Sequence, residues 1–404
     1  MARRIIIVGA GQAGRRCAEA LRELDAAVEI MIFGAEAHLP YDRPPLSKSV
    51  LLGRDPGPAL FVRRAEYYAE QHITLHLGEV VTRLHTQNKR IDTAQGRSFA
   101  YDVLVLATGA KARGLAVTGA DDARVMTLRS LDDARALQAQ LAEKPKLAVI
   151  GGGLIGLEVT ASARLLGCAV DVLEAGERLM ARGVPASISR RMAALHQEHG
   201  VSLHFNADLE RIEGADREVI LHLKNGRRLA VDLVLVGIGA TPETSLAAEA
   251  GLAVADGILT DHAGRTSLPD IYAAGEVARF PNPLRPKASM RQETWQVAQQ
   301  QPVAVAHAIM GQEKPYAEIP WHWTDQFDCN LQVLGEPNEQ PHQIERAEGE
   351  RLTLLACDSD GRLRGAILIN NGREATLCRR LIASGKGLDM AALADTARPL
   401  RGFL

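Results

Sequence analysis

The chain has 404 residues, 46% of them hydrophobic and 24% charged, which is long for one core and predicts two or three domains while excluding wholesale disorder. A formal net charge of -2 excludes any global pull toward nucleic acid or an anionic membrane. No run of about 20 apolar residues offers a membrane span, so neither partner is expected.

The opening, "MARRIIIVGAGQAG", has a basic start and a short apolar run, but the run is too short for a signal peptide and leads into a turn. "RIIIVGAGQAGRRCAEAL" predicts a strand, a tight turn and a helix, with Gly9, Gly11 and Gly14 in G-x-G-x-x-G spacing. The first glycine permits the turn, the second admits a pyrophosphate, and the third lets the helix pack close to the strand. The helix N-terminus then offers free N–H groups to phosphate oxygens. The following strand, "VEIMIFGAE", ends in Gly34-Ala35-Glu36. "YDRPPLSK", residues 41–48, carries two prolines with Arg43 and Lys48, and predicts a rigid, extended, positively charged segment.

"YDVLVLATGAKARG" is an apolar strand that ends at Ala107-Thr108-Gly109, a turn small enough for close backbone approach. The glycine pattern then recurs. "PKLAVIGGGLIGLEVTASARLLGCAVDVLEA" repeats strand, Gly151-x-Gly153-x-x-Gly156, helix and strand, ending in Glu174 about 20 residues on, where a carboxylate accepts hydrogen bonds from an adenosine ribose. One such turn alone is compatible with ordinary strand–helix packing; two in the right context point to two bound dinucleotides. "VDLVLVGIGATPE" and "LPDIYAAGEVARF" are further strands, ending at Gly239 and at Ala274-Gly275-Glu276. "RFPNPLRPKASMRQETW" holds Arg279, Arg285, Lys287 and Arg291 with no acid before Glu293, and its prolines predict an exposed loop. "RQETWQVAQQQ" reads helical. From Trp321 the texture changes to strands joined at Asp360-Gly361 and Asn371-Gly372, followed by a helix, which is an α+β module.

The five cysteines (Cys17, Cys168, Cys329, Cys357 and Cys378) stand at neither metal-ligand nor redox-motif spacing. No metal site is expected, and unpaired thiols suit a cytoplasmic protein.

Taken together, Gly9 to Gly14, "YDRPPLSK", "RSLDDA", "IGGGLIGLEV", "GIGATPE", "DIYAAGE", "RQETWQVAQQQ" and "WHWTDQFD" resemble the FAD-dependent ferredoxin reductases of the putidaredoxin reductase and aromatic-ring dioxygenase type. The resemblance runs over nearly the whole chain. It implies an α/β fold with two Rossmann-like dinucleotide-binding domains in the glutathione-reductase manner and a C-terminal α+β domain. On this reading residues 1–111 and 243–320 form a discontinuous FAD-binding domain, 112–242 an NADH-binding domain, and 321–404 the C-terminal domain. The implied activity is electron transfer from NADH through FAD, one electron at a time, to a [2Fe-2S] ferredoxin serving an oxygenase.

Carried over residue by residue, the resemblance implies FAD contacts at Gly9, Gly11, Ala13, Gly14, Ala35, Glu36 and Val81, and at Thr108, Gly109, Arg129, Gly275 and Glu276. Arg43 and Pro44 fall near the pyrophosphate, Lys48 beside the flavin ring, and Trp295 where some members place an indole against the flavin. NADH contacts fall at Gly151, Gly153, Leu154, Ile155, Gly156, Glu174, Arg182 and Gly239, with Glu158 toward the nicotinamide. Lys48, Glu158 and Trp295 are the residues expected nearest the chemistry. Two departures stand out: Ala35 and Glu276 replace aspartates common in the family, which passes the first ribose contact to Glu36 or to water. The docking of an acidic ferredoxin is expected near Arg285 and Lys287. A disulfide reductase would need a redox cysteine pair, which is missing; a rubredoxin reductase, or an interaction protein resembling apoptosis-inducing factor, shares the same plan.

Overall fold

Ile5, Ile6 and Ile7 are all fully buried, so this run has no face left for water and belongs inside a sheet covered on both sides. A computed structural model describes residues 2–54, 60–282 and 284–404, with the side chains of 282 and 285–287 outside that description. The chain divides into two lobes: Met1–Asp42, Pro56–Lys111 and Thr241–Glu318 form the first, and Arg43–Asp55, Ala112–Ala240 and Ile319–Leu404 the second.

In the first lobe a parallel sheet runs in the order Ile271–Ala273, Val103–Leu106, Arg4–Val8, Glu29–Gly34, Ile73–Leu77. The chain moves outward in one direction from Arg4–Val8 and later returns on its other side. That reversal leaves a crevice at the carboxyl ends of the strands, where such sheets take ligands. The second lobe repeats the plan in the order Ser202–His204, Val170–Leu173, Leu147–Ile150, Leu233–Val236, Val125–Thr127. Each lobe also inserts an antiparallel meander before its return strand, Val81–His85 to Ser98–Ala100 in one and Leu209–Gly214 to Arg228–Val231 in the other.

The second lobe adds an antiparallel sheet in the order Trp321–Gln326, Cys329–Gly335, Leu363–Ile369, Arg351–Cys357, His342–Glu348. Its inner residues Leu331, Val333, Leu354 and Ile367 share one core with Val149, Val172 and Leu235 of the nucleotide-type sheet and Leu157 of helix Leu154–Leu165. Asp360-Gly361 turns between two of these strands, with Gly361 at φ 72°. Asn371-Gly372 instead opens a short 3-10 turn, Gly372–Glu374, into helix Ala375–Ser384.

Two expectations are corrected. "YDRPPLSK" is not extended: Pro45 is helical at φ -68° and ψ -19°, and Leu46–Val50 forms a wide turn closed by the Val50 N–H to the Pro45 carbonyl at 3.1 Å. Proline pre-sets the φ of a helix start, and burial of Leu46, Val50 and Leu51 draws the turn inward. The basic segment is a hairpin, Ala278–Asn282 with Arg285–Arg291, and not a loop. The two prolines within its strands are tolerated because Pro281 lies at a register shift and Pro286 on the edge strand, while fully buried Phe280 anchors the pair against Tyr316. No helix among the described residues is long and apolar enough to cross a membrane.

Candidate functional site

In the first lobe the glycine turn follows strand Arg4–Val8 and is locked by contact. A Cβ at Gly9 (φ 119°) would sit 2.1 Å from the Ala107 carbonyl oxygen, and one at Gly14 would sit 1.9 Å from the Gly9 carbonyl oxygen. At Gly11 the same test meets nothing within 4 Å, so the turn is closed on its inner side and open where a phosphate would lie. Helix Gln12–Leu24 starts from Gly11 with no side-chain cap and no acid in its first turn, which leaves its N–H groups and dipole for an anion. This geometry fits a dinucleotide pyrophosphate.

The other expected FAD contacts of this lobe gather at the same strand ends. Ala35 is exposed and Glu36 half-buried after Glu29–Gly34, with the Tyr41 hydroxyl donating to Glu36 Oε2 at 2.5 Å. Thr108 donates to the Glu243 carbonyl at 2.6 Å and precedes Gly109 at φ 68°. Gly275 stands against Ala13, whose Cβ a side chain at Gly275 would meet at 2.5 Å, and Glu276 follows in the 3-10 turn Gly275–Val277. Buried Val81 opens the meander. Trp295 is the first residue of helix Trp295–Ile309, and its indole N–H donates to Asp42 Oδ1 at 3.2 Å. The same helix supplies Gln301, which the sequence reading passed over. Its buried amide accepts from the Gly275 N–H at 2.8 Å and donates to the Ala273 carbonyl at 3.3 Å, pinning the turn.

The second lobe builds its turn the same way. Gly151 (φ 108°) packs on the Gly237 carbonyl and Gly156 on the Gly151 carbonyl, while Gly153 has its nearest neighbour at 4.0 Å. Helix Leu154–Leu165 begins there uncapped, and Ile155 in its first turn is 47% exposed, an apolar side chain left uncovered beside the open turn. Glu174 receives the Gly152 N–H at 2.7 Å and the Gly176 N–H at 2.8 Å, so its carboxylate already braces the turn. The Arg182 guanidinium lies 3.4 Å from the position of a Cβ at Gly239 (φ 107°). Arg43, followed by Pro44, donates to the Arg129 carbonyl, and the Arg129 N–H donates to Asp133 Oδ2 at 3.0 Å.

Lys48 and Glu158, 110 positions apart, form an ion pair. Lys48 Nζ lies 3.2 Å from Glu158 Oε1 and 3.0 Å from Asp325 Oδ2. The Ser47 hydroxyl donates to the second Glu158 oxygen, and the Thr324 hydroxyl donates to Oε1 at 2.7 Å. Glu158 is 4% exposed, and that burial pushes its carboxyl above the ordinary range against the opposing Lys48 charge and the hydrogen bonds from Ser47 and Thr324. For Asp325, partial burial also works upward, but hydrogen bonds from Asn330 and Lys48 and the Lys48 charge hold it below that range. Lys48 also stands 5.7 Å over the Trp323 ring, which stacks on Trp321 at 4.9 Å with Arg379 beyond. Thr324, Asp325 and Trp323 lie within "WHWTDQFD", yet the sequence alone gives them no role. Strand alternation was the signal: Trp321, Trp323 and Asp325 share one face, and Thr324 and Gln326 the other.

Each of the five cysteines is free and buried. Burial pushes Cys17 and Cys378 up to about 12 and Cys329 and Cys357 up to about 11, far from thiolate chemistry. In the basic hairpin, Arg279 donates to Ser289 and Arg291 is paired with Asp256 and Glu293, so both turn inward. Arg285 and Lys287 lie on the edge strand, and their side chains fall outside the described residues.

Residues 3–302 match the family described as pyridine nucleotide-disulphide oxidoreductase, and residues 321–404 match the reductase C-terminal family. The chain is 43% identical over 405 residues to the ferredoxin--NAD(+) reductase component of the anthranilate 1,2-dioxygenase system of Burkholderia cepacia, covering 99% of this chain and 98% of the relative. It is similar to the crystal structure of the ferredoxin reductase for the CYP199A2 system from Rhodopseudomonas palustris, at TM-score 0.94 and 34% identity over 99% of both chains. It is also similar to the reductase of the covalent putidaredoxin reductase-putidaredoxin complex, at TM-score 0.94 and 31% identity, covering 99% of this chain and 98% of that one.

Proposed function

Because the chain belongs to the pyridine nucleotide-disulphide oxidoreductase family, with residues 321–404 in the reductase C-terminal family, we propose that it carries electrons from NADH through FAD to a ferredoxin. The observation that carries this reading is the pair of locked glycine turns, each open at its middle glycine, in a chain whose five thiols are all buried and unpaired. Two dinucleotide turns without a redox disulfide suit an enzyme whose acceptor is a separate one-electron protein. Bound FAD supplies a centre that takes two electrons from NADH and gives them up singly, as a [2Fe-2S] ferredoxin requires.

The protein's own part is placement. The first lobe binds FAD through Gly9, Gly11, Ala13 and Gly14, with Glu36, Thr108, Gly109, Gly275 and Glu276 around the same strand ends and Val81 and Trp295 flanking them. The second lobe's turn binds NADH through Gly151 to Gly156, offers the exposed Ile155 as an apolar rest, and presents Glu174, Arg182 and Gly239 toward the adenosine end. For Ala35, Arg43, Pro44, Lys48 and Arg129 the FAD assignment rests on the family resemblance alone. Glu158 serves the nicotinamide side while paired to Lys48. The ferredoxin docks on the basic hairpin bearing Arg285 and Lys287.

The test is to purify the protein and assay NADH oxidation against a panel of [2Fe-2S] ferredoxins and rubredoxins. Fast single-electron reduction of a ferredoxin supports the reading. Turnover with a rubredoxin alone, or bound FAD that NADH does not reduce, overturns it.

A further inference from the structure

The Glu158 pair does not end at Thr324. The Gln326 amide donates to Thr324 Oγ1 at 3.0 Å, and its carbonyl oxygen lies 2.8 Å from His196 Nε2 on helix Ala186–Glu198. His196, Gln326 and Thr324 are each fully buried. His196 Nδ1, also buried, has no hydrogen-bond partner among the described residues.

These facts fix the direction of the chain. An amide oxygen only accepts, so His196 must donate through Nε2–H and leave Nδ1 as the bare nitrogen. The Gln326 N–H then points to the Thr324 oxygen, which turns the Thr324 hydroxyl proton toward Glu158. The reverse order would take the Thr324 proton away from the carboxylate and bury an Nδ1–H donor with no acceptor, two unfavourable steps at once. Every donor therefore aims at Glu158. Thr324 and Lys48 both donate to Oε1 and Ser47 to Oε2, so three donors favour the ionised carboxylate over its protonated form.

We propose that His196, Gln326 and Thr324 are positioning residues, a one-way hydrogen-bond chain that holds Glu158 in its ionised, Lys48-paired form and so sets the lower pH limit for reduction of the bound flavin by NADH. This deepens the proposed function and rests on that reading for its kinetic arm. The charged and titratable groups about the carboxyl are Lys48 from the turn Leu46–Val50, Asp325 beyond Lys48 on strand Trp321–Gln326, and His196 at the far end of the chain. His322, two positions before Thr324, is pushed down to about 4 by burial and stays neutral across the working range. Burial lowers His196 too, which keeps the neutral tautomer that the chain needs.

The test has a spectroscopic and a kinetic arm. In the unmodified protein, nitrogen-15 NMR of labelled histidine is expected to show His196 neutral with its proton on Nε2; an Nδ1–H tautomer overturns the proposal without any substitution. Infrared titration of the Glu158 carboxyl band, assigned by its loss in Glu158→Gln, is then compared in Thr324→Val and Thr324→Ser. Removing one charge-assisted donor is expected to move the titration upward by about one pH unit or more, with Thr324→Ser restoring it. The acid limb of the NADH reduction rate should move by the same amount while KM for NADH stays within about twofold. An unmoved carboxyl titration in folded Thr324→Val refutes the chain and leaves the proposed function standing. A moved titration in a protein that NADH does not reduce refutes the proposed function instead, and with it the assigned pH limit.

Discussion

Lys48→Met removes the cation from a buried pair and leaves Glu158 surrounded by protein. At 3.2 Å and an effective dielectric of about 20, the lost attraction is about 5 kcal/mol. Folding has an alternative to bearing that loss, since Glu158 can take up a proton. From the ordinary carboxyl value of 4.5, neutralising it at pH 7 costs about 1.4 kcal/mol per pH unit, or about 3 kcal/mol in all. The smaller figure wins, so protonation caps the penalty at about 3 kcal/mol at pH 7. The sign follows from linkage: folded Glu158 then holds its proton more tightly than the unfolded chain, so stability falls as pH rises above 4.5. The penalty should shrink by about 1.4 kcal/mol per unit on acidification and lie below about 1 kcal/mol at pH 5. Urea unfolding at pH 5, 6 and 7, followed by the fluorescence of Trp321 and Trp323 beside the site, measures it. Asp325→Asn is the control, expected to cost less than about 1 kcal/mol because that carboxylate is 45% exposed. A Lys48→Met penalty that is flat between pH 5 and pH 7 would show that Glu158 does not titrate in the folded protein.

NADH is expected over NADPH, because a 2′-phosphate would meet the Glu174 carboxylate; Glu174→Ala should narrow the preference in kcat/KM about tenfold, and equal efficiencies in the unmodified protein would refute the assignment. Replacing all five cysteines by alanine, in a variant that stays folded and yellow, should leave ferredoxin reduction within about threefold, since buried thiols do no redox work at neutral pH. Loss of that activity with NADH reduction of FAD intact would reveal a thiol relay. Arg285→Glu with Lys287→Glu should slow ferredoxin reduction about tenfold at low salt and leave NADH reduction of FAD unchanged. Unaltered kinetics and salt dependence would place docking elsewhere.

The two glycine turns and the strands before them were legible because their signals are local. A β-branched run such as Ile5-Ile6-Ile7 and a Gly9-x-Gly11-x-x-Gly14 turn are specified within 15 residues. The Lys48–Glu158 pair joins residues 110 positions apart, and no periodicity links a proline-rich turn to a helix that far downstream. Both residues were named from resemblance, yet their mutual contact and the addition of Thr324 and Asp325 depend on how the last sheet packs. The extended reading of "YDRPPLSK" failed for a related reason. Two prolines forbid a helix interior but favour its first turn, and only the burial of Leu46 and Leu51 decides between the two. The hairpin at Arg279–Arg291 was hidden because proline-rich sequence looks the same in a loop and on a sheet edge.

The common core of Val149, Leu235, Leu331 and Ile367 bears on how the chain matures during synthesis. The nucleotide-type sheet of the second lobe is complete once Leu233–Val236 has left the ribosome, and helices Leu131–Leu141, Leu154–Leu165 and Ala186–Glu198 already share its core, but strand Trp321–Gln326, which packs on helix Leu154–Leu165, comes much later with the rest of its sheet. Until those strands are made, the outer side of that helix and the apolar residues around it lack their native cover, and closure also requires the early segment Arg43–Asp55. The first lobe has all of its strands by Arg291 and can settle while synthesis continues. Premature stops between these points should therefore yield aggregates in place of a smaller NADH-binding protein, with chaperone demand concentrated in the last third of translation.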